Sequence, residues 1–200
     1  MNRATTLLLL PIAALATFAQ TNSSIDAKLS PAERSIAQAK RLIEKNPKDY
    51  SAYTALAFAL SRRARETSDV KYYDEAAGAL KQSFAISPEN FGAARIQTWL
   101  LLGKHDFPAA LEEAKKLKKR MPDDITVYGF LTDANIELGN DKDAEAAAQT
   151  MLDLRPGNLP ALTRAAYLRE LFGDVEGSLE LMKWHFNLRR RAKLKTRRGF

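Results

Sequence analysis

The chain has 200 residues, of which 46% are apolar and none is cysteine. That length suits one ordinary domain or one short repeat array, and the missing cysteines exclude disulfides, a thiol nucleophile, a cysteine-held metal and a lipid-modified cysteine. The net charge of +7 misleads: eight cations fall in the acid-free last 18 residues, leaving 23 Lys and Arg against 24 Asp and Glu before them. An argument from charge to nucleic acid or anionic membrane therefore concerns the end of the chain alone.

Met1-Asn2-Arg3 is a short cationic start, and residues 7–18 are almost wholly apolar. Small residues follow as Thr17-Phe18-Ala19, which predicts a secretory signal over 1–19, cleaved after Ala19, with Ala14-Leu15-Ala16 as the second choice. An uncleaved anchor is the competing reading, but a bilayer span takes about 20 apolar residues. Residues 20–29 read as a linker and 30–186 as a helical repeat domain. Ser30-Pro31-Ala32-Glu33 combines a capping box with a proline in the first turn, and predicts a lone helix to about 45.

Helix pairs are predicted next over 50–66 and 71–86, 91–102 and 107–120, 125–138 and 142–154, and 159–172 and 175–186. Each pair opens after the same signal: Pro47-Lys48-Asp49, Pro88-Glu89-Asn90, Pro122-Asp123-Asp124 and Pro156-Gly157-Asn158. Proline stops the incoming helix, and Asp or Asn caps the next one. The proline spacings are 41, 34 and 34. The polar stretch 62–70 is expected to absorb the seven extra residues by prolonging the first helix and its loop.

Other columns keep the period. Small residues recur as Ala57, Thr98, Thr132 and Ala166, and again as Ala76, Ala110, Ala144 and Ser178. Tyr53, Tyr128 and Leu162 form a bulky column with Ala94 as its weak member, and Gly139 and Gly173 each end a helix before a polar turn. Nothing alternates with period two over a useful length, so no sheet is expected. The pattern resembles the tetratricopeptide repeat family over roughly 30–186. The resemblance implies an all-α, right-handed superhelical solenoid of antiparallel pairs, whose concave face is built from the first helix of each pair. It implies an architecture rather than a chemistry.

After Asn187 the repeat stops: where a proline is due the chain has Arg190. Residues 187–200 are expected to be a poorly ordered basic tail, either genuine or the product of a shifted or truncated reading of a longer protein.

No set of residues points to catalysis. His105 and His185 stand 80 residues apart, without partners at metal-ligand spacing. Asp123-Asp124 opens a helix, and Glu112-Glu113 pairs with Lys115 and Lys116 along one. No Gly-rich phosphate loop or nucleophile elbow occurs. Lys115–Arg120 ends a helix, where cations suit the dipole. The protein is expected to be no enzyme and to need no metal or cofactor.

Its expected partner is a protein or peptide. The family's inward columns here read Phe58, Trp99, Asp133, Tyr167 and, one turn earlier, Thr54, Arg95, Gly129, Thr163. Arg95 is expected to stack on Trp99, and Phe58, Arg95, Trp99, Asp133 and Tyr167 are the candidate groove residues. The Lys and Asn set with which some family members clamp a terminal carboxylate is missing. The alternative is peripheral attachment of the basic tail to anionic membrane or nucleic acid.

Overall fold

The computed structural model describes residues 29–197, with side chains as far as Asn187 except His185. The signal sequence predicted over 1–19 and most of the linker lie outside the described residues. Among those residues there are nine helices and no strand. They are α1 (Pro31–Lys45), α2 (Tyr50–Thr67), α3 (Lys71–Ile86), α4 (Phe91–Gly103), α5 (Phe107–Arg120), α6 (Ile125–Glu137), α7 (Asp141–Leu154), α8 (Leu159–Leu171) and α9 (Val175–Arg197).

The proline signals do what their chemistry dictates. Asp49 and Asp124 accept from backbone N–H groups of the first turn at 2.9 and 2.8 Å, and Asn158 and Asn90 at 3.1 and 3.3 Å. Each thus satisfies a donor that the helix start leaves open. The Ser51 hydroxyl, with the neighbouring N–H groups, holds the Asp49 carboxyl below its ordinary value.

The small columns form the seam of the stack. Ala57, Thr98, Thr132, Ala76, Ala110 and Ala144 have no solvent exposure, and Ala166 and Ser178 are nearly as buried. A larger side chain there would hold apart helices that approach within about 8–10 Å. Threonine serves because its hydroxyl is satisfied inside its own helix: Thr98 donates to the Ala94 carbonyl at 2.9 Å and Thr132 to the Tyr128 carbonyl at 2.8 Å.

The extra seven residues go entirely into helix. α2 has 18 residues against 13 in α4, α6 and α8, and α3 has 16 against 14 in α5 and α7. The connecting segments 68–70, 104–106, 138–140 and 172–174 all keep the same length, so the expected longer loop does not form. Seven residues make about two helical turns, five of the residues lengthening α2 and two lengthening α3, so the buried faces beyond the hairpin end stay in phase.

Gly139 and Gly173 take positive φ, and His105 occupies the same column with φ 60°. The turn closes identically in all three repeats: the N–H groups of Asp106, Asn140 and Asp174 donate to the carbonyls of Leu101, Asn135 and Arg169. His105 is a turn residue, held in a conformation that favours glycine.

The first helices touch one another, α2 with α4, α4 with α6 and α6 with α8. α3, α5 and α7 each lie against their own first helix and the first helix of the next pair, and α9 lies against α8. The result is a tetratricopeptide-like helical solenoid of four pairs with α1 packed on its N-terminal end. An ionic latch secures α1: Arg63 of α2 lies 2.8 Å from Glu33 and 3.5 Å from Glu66, and the Ser30 hydroxyl donates to Glu66 at 3.0 Å. At the other end, α9 continues beyond the predicted stop at 186 and carries the basic segment as helix to Arg197.

Candidate functional site: a groove along the first helices

α2, α4, α6 and α8 place their side chains on one shared face. Phe58 and Trp99 meet there, ring centroids 5.4 Å apart and planes tilted by 40°. Trp99 is part of the wall: half-buried, it packs on the central core cluster and also lines the groove. Arg65 lies over its ring, the guanidinium carbon 5.4 Å from the centroid. This corrects the expected stacking of Arg95. One turn from Trp99, Arg95 instead reaches forward to the next repeat, with Nη2 donating to the Thr126 hydroxyl at 2.8 Å and Nη1 lying 3.3 Å from Asp124. The carboxylate of the next helix cap outcompetes an aromatic face for a guanidinium.

Asp133 is likewise engaged. Arg164 of α8 grips it with two parallel bonds, Nε at 2.7 Å and Nη2 at 2.6 Å, and turns Nη1 to the Pro160 carbonyl at 3.2 Å. Gly129 gives that crossing room, because a Cβ there would stand 3.3 Å from the Arg164 guanidinium carbon and displace it by a few tenths of an ångström.

Two cavities open on either side of Trp99. One, of about 380 Å³, runs between α2, α4, α6 and α8, with Phe58, Ile96, Trp99 and Phe130 as apolar walls and Arg95 and Arg164 as its charged groups. The other, of about 320 Å³, is bordered by Arg65, Tyr73, His105, Asp133 and Glu137. A larger cleft of about 490 Å³ lies away from this face between α7 and α8, lined mainly by polar, charged and alanine side chains.

Solved structures of MamA share the fold. A double mutant described as MamA RS-1 ArsTM aligns with a TM-score of 0.62 at 16% identity, covering 91% of this chain and 98% of that one. MamA 41-end from Desulfovibrio magneticus RS-1 aligns at 0.61 and 16%, covering 90% and 98%. A further crystal structure of MamA aligns at 0.58 and 15%, covering 93% and 99%. The likeness is one of fold. No family model matches the sequence, and no curated protein matches it.

Of the five candidate groove residues, Phe58 and Trp99 come together, and Arg95 shares their cavity. Asp133 borders the second cavity as the partner of Arg164, and Tyr167 stands half exposed on α8, lining neither. Column reasoning missed Arg65 and Arg164. A signal for Arg164 exists in the spacing. Asp133–Arg164, Arg95–Thr126 and Glu89–Arg120 are all separated by 31 positions. In a 34-residue array that is the equivalent site of the next repeat less about one turn, where neighbouring first helices, or neighbouring corners, come within side-chain reach.

Proposed function

We propose that the protein is a non-catalytic scaffold that binds a protein or peptide partner along the groove of its first helices. The arrangement that carries this reading is the Phe58–Trp99 pair beside a cavity large enough for side chains of a guest. Aromatic and arginine side chains in a concave, partly desolvated site are the usual anchors of interfaces. The fold shared with MamA supports a scaffold, since helical solenoids present long concave surfaces. The proposal includes export, with 1–19 as the cleaved signal and a periplasmic or secreted site of action.

The test is selection of peptides from a displayed library on the purified chain, followed by measurement of their affinity for Trp99→Ala. Removing the central aromatic is expected to weaken binding about tenfold or more. Selected peptides that bind the variant as well as the original chain overturn the assignment.

The basic segment supports a second reading. Its cations, without an acid among them, continue as helix in α9. Comparing the full chain with one ending at Asn187, on anionic vesicles and on DNA at low and moderate salt, decides it. A charge-driven attachment is lost with the segment and falls steeply with salt.

A further inference from the structure

The charged groups of the 380 Å³ cavity are both arginines, while the acids that hold them stand outside its lining. Asp124 fixes Arg95 and Asp133 fixes Arg164 from behind, so the groove is presented with guanidinium groups in an otherwise apolar and neutral wall. A guanidinium carries five N–H groups. Arg164 commits one each from Nε, Nη1 and Nη2, which leaves one on each terminal nitrogen. In Arg95 the two terminal nitrogens are engaged once each, and the Nε is shielded from solvent without a partner. The second N–H of each terminal nitrogen is uncommitted in Arg95 as it is in Arg164. Between the two arginines α6 contributes Gly129, which puts no side chain in the way.

We propose, building on the groove reading above, that this cavity selects an extended peptide by a carboxylate. An Asp or Glu side chain of the guest lies between Arg95 and Arg164, and an apolar or aromatic side chain two residues away rests on Phe58 and Trp99. Planar, pre-oriented guanidinium groups match a carboxylate, and the apolar walls strengthen the attraction by excluding water. The spacing follows from geometry. Arg95 and Trp99 are one turn apart, about 6 Å along α4. Side chains on one face of an extended chain repeat every ~6.7 Å, so residues i and i+2 of the guest reach both. Arg65, which makes no ion pair among the described residues, adds positive charge beside the aromatic pair. Glu137 lies on the far side of Trp99, in the second cavity, and does not border this one.

The experiment uses the peptides selected on the full chain and measures their affinity by titration calorimetry, which reads the Trp99→Ala variant as well as the others. Selected sequences are expected to carry Asp or Glu two residues from Phe, Trp, Tyr or Leu. Replacing that acid by its amide is expected to weaken binding at least about tenfold, as is Arg95→Gln in the protein. Arg95→Lys and Arg164→Lys keep the charge but lose the fork, and each is expected to cost several-fold with the helical circular dichroism unchanged. Arg120→Gln, on the outer side, leaves affinity as it was.

Peptides that lose binding with Trp99→Ala yet are indifferent to their own acid-to-amide change and to the arginine variants overturn the carboxylate proposal and leave the groove standing. Peptides indifferent to Trp99→Ala overturn the groove reading itself, and a selection that returns no binder overturns both.

Discussion

The two layers of this solenoid share one core but carry different cations. The first helices contain six arginines and no lysine; the second helices, as far as Asn187, contain eight lysines and one arginine. The inner arginines have structural work with defined partners: Arg63 on Glu33, Arg65 on Trp99, Arg95 on Asp124, Arg164 on Asp133. The outer lysines mostly stand in solvent or make exposed local pairs, as Lys115 with Glu112 and Lys116 with Glu113 do at 2.9 and 2.7 Å, and Lys118 alone of them lies over an aromatic ring of the next first helix, that of Tyr128. Such pairs are worth little, whereas a planar guanidinium can hold one partner and still offer donors to another. The difference separates a face whose cations are mostly held by named partners from a face whose cations are mostly hydrated.

If the layers differ in surface and not in core, equivalent damage to the seam must cost the same from either side. Leu117 on α5 and Leu162 on α8 are both essentially without exposure. Replacing either by alanine is expected to cost about 2–5 kcal/mol in urea denaturation. A loss confined to one layer would break the comparison.

Next in size are the caps, which favour the inner layer. All four first helices of the pairs have a side-chain cap, while α3 and α7 have none. Asn90→Ala is expected to cost ~1 kcal/mol. Thermal unfolding checks it, and a neutral result would mean that packing alone holds α4.

A smaller effect is expected at the turn joining the layers. His105→Gly relieves a left-handed residue and is expected to stabilise by up to about 1 kcal/mol, less what glycine loses in chain entropy. A melt of the variant shows the sign.

The smallest effect concerns the latch at the open end of the inner layer. The Ser30 N–H and then the Arg63 guanidinium hold the Glu33 carboxyl below its ordinary value of 4.5. A depressed carboxyl contributes stability that is present above its unfolded value and lost as pH falls through the folded one. Protection of the α1 amides against hydrogen exchange, taken relative to the intrinsic rate at each pH, is therefore expected to fall below about pH 4.5. In Glu33→Gln it should already be lower at neutral pH and change less on acidification.

The groove was only half legible before the structure. Phe58 and Trp99 follow from the period, because a repeat places equivalent positions of successive first helices side by side. Arg95 was located but given the wrong partner: the expectation counted neighbours along α4, and the stronger acid sits on the next repeat. Asp133 was placed in the groove without its partner, Arg164, for the same reason. A long side chain spans roughly the distance between helices, so its partner is chosen across the stack and not along the chain.

What the sequence determined by itself is the architecture: four proline stops, their Asp and Asn caps, and two small-residue columns specify helix lengths, corners and the seam. These are local or strictly periodic effects, decided within one turn or one repeat. The destination of each inner guanidinium, the clearance at Gly129 and the sharing of seven extra residues between α2 and α3 were decided only on stacking. They depend on which atoms of different repeats come within a few ångströms, and the chain alone does not carry that distance.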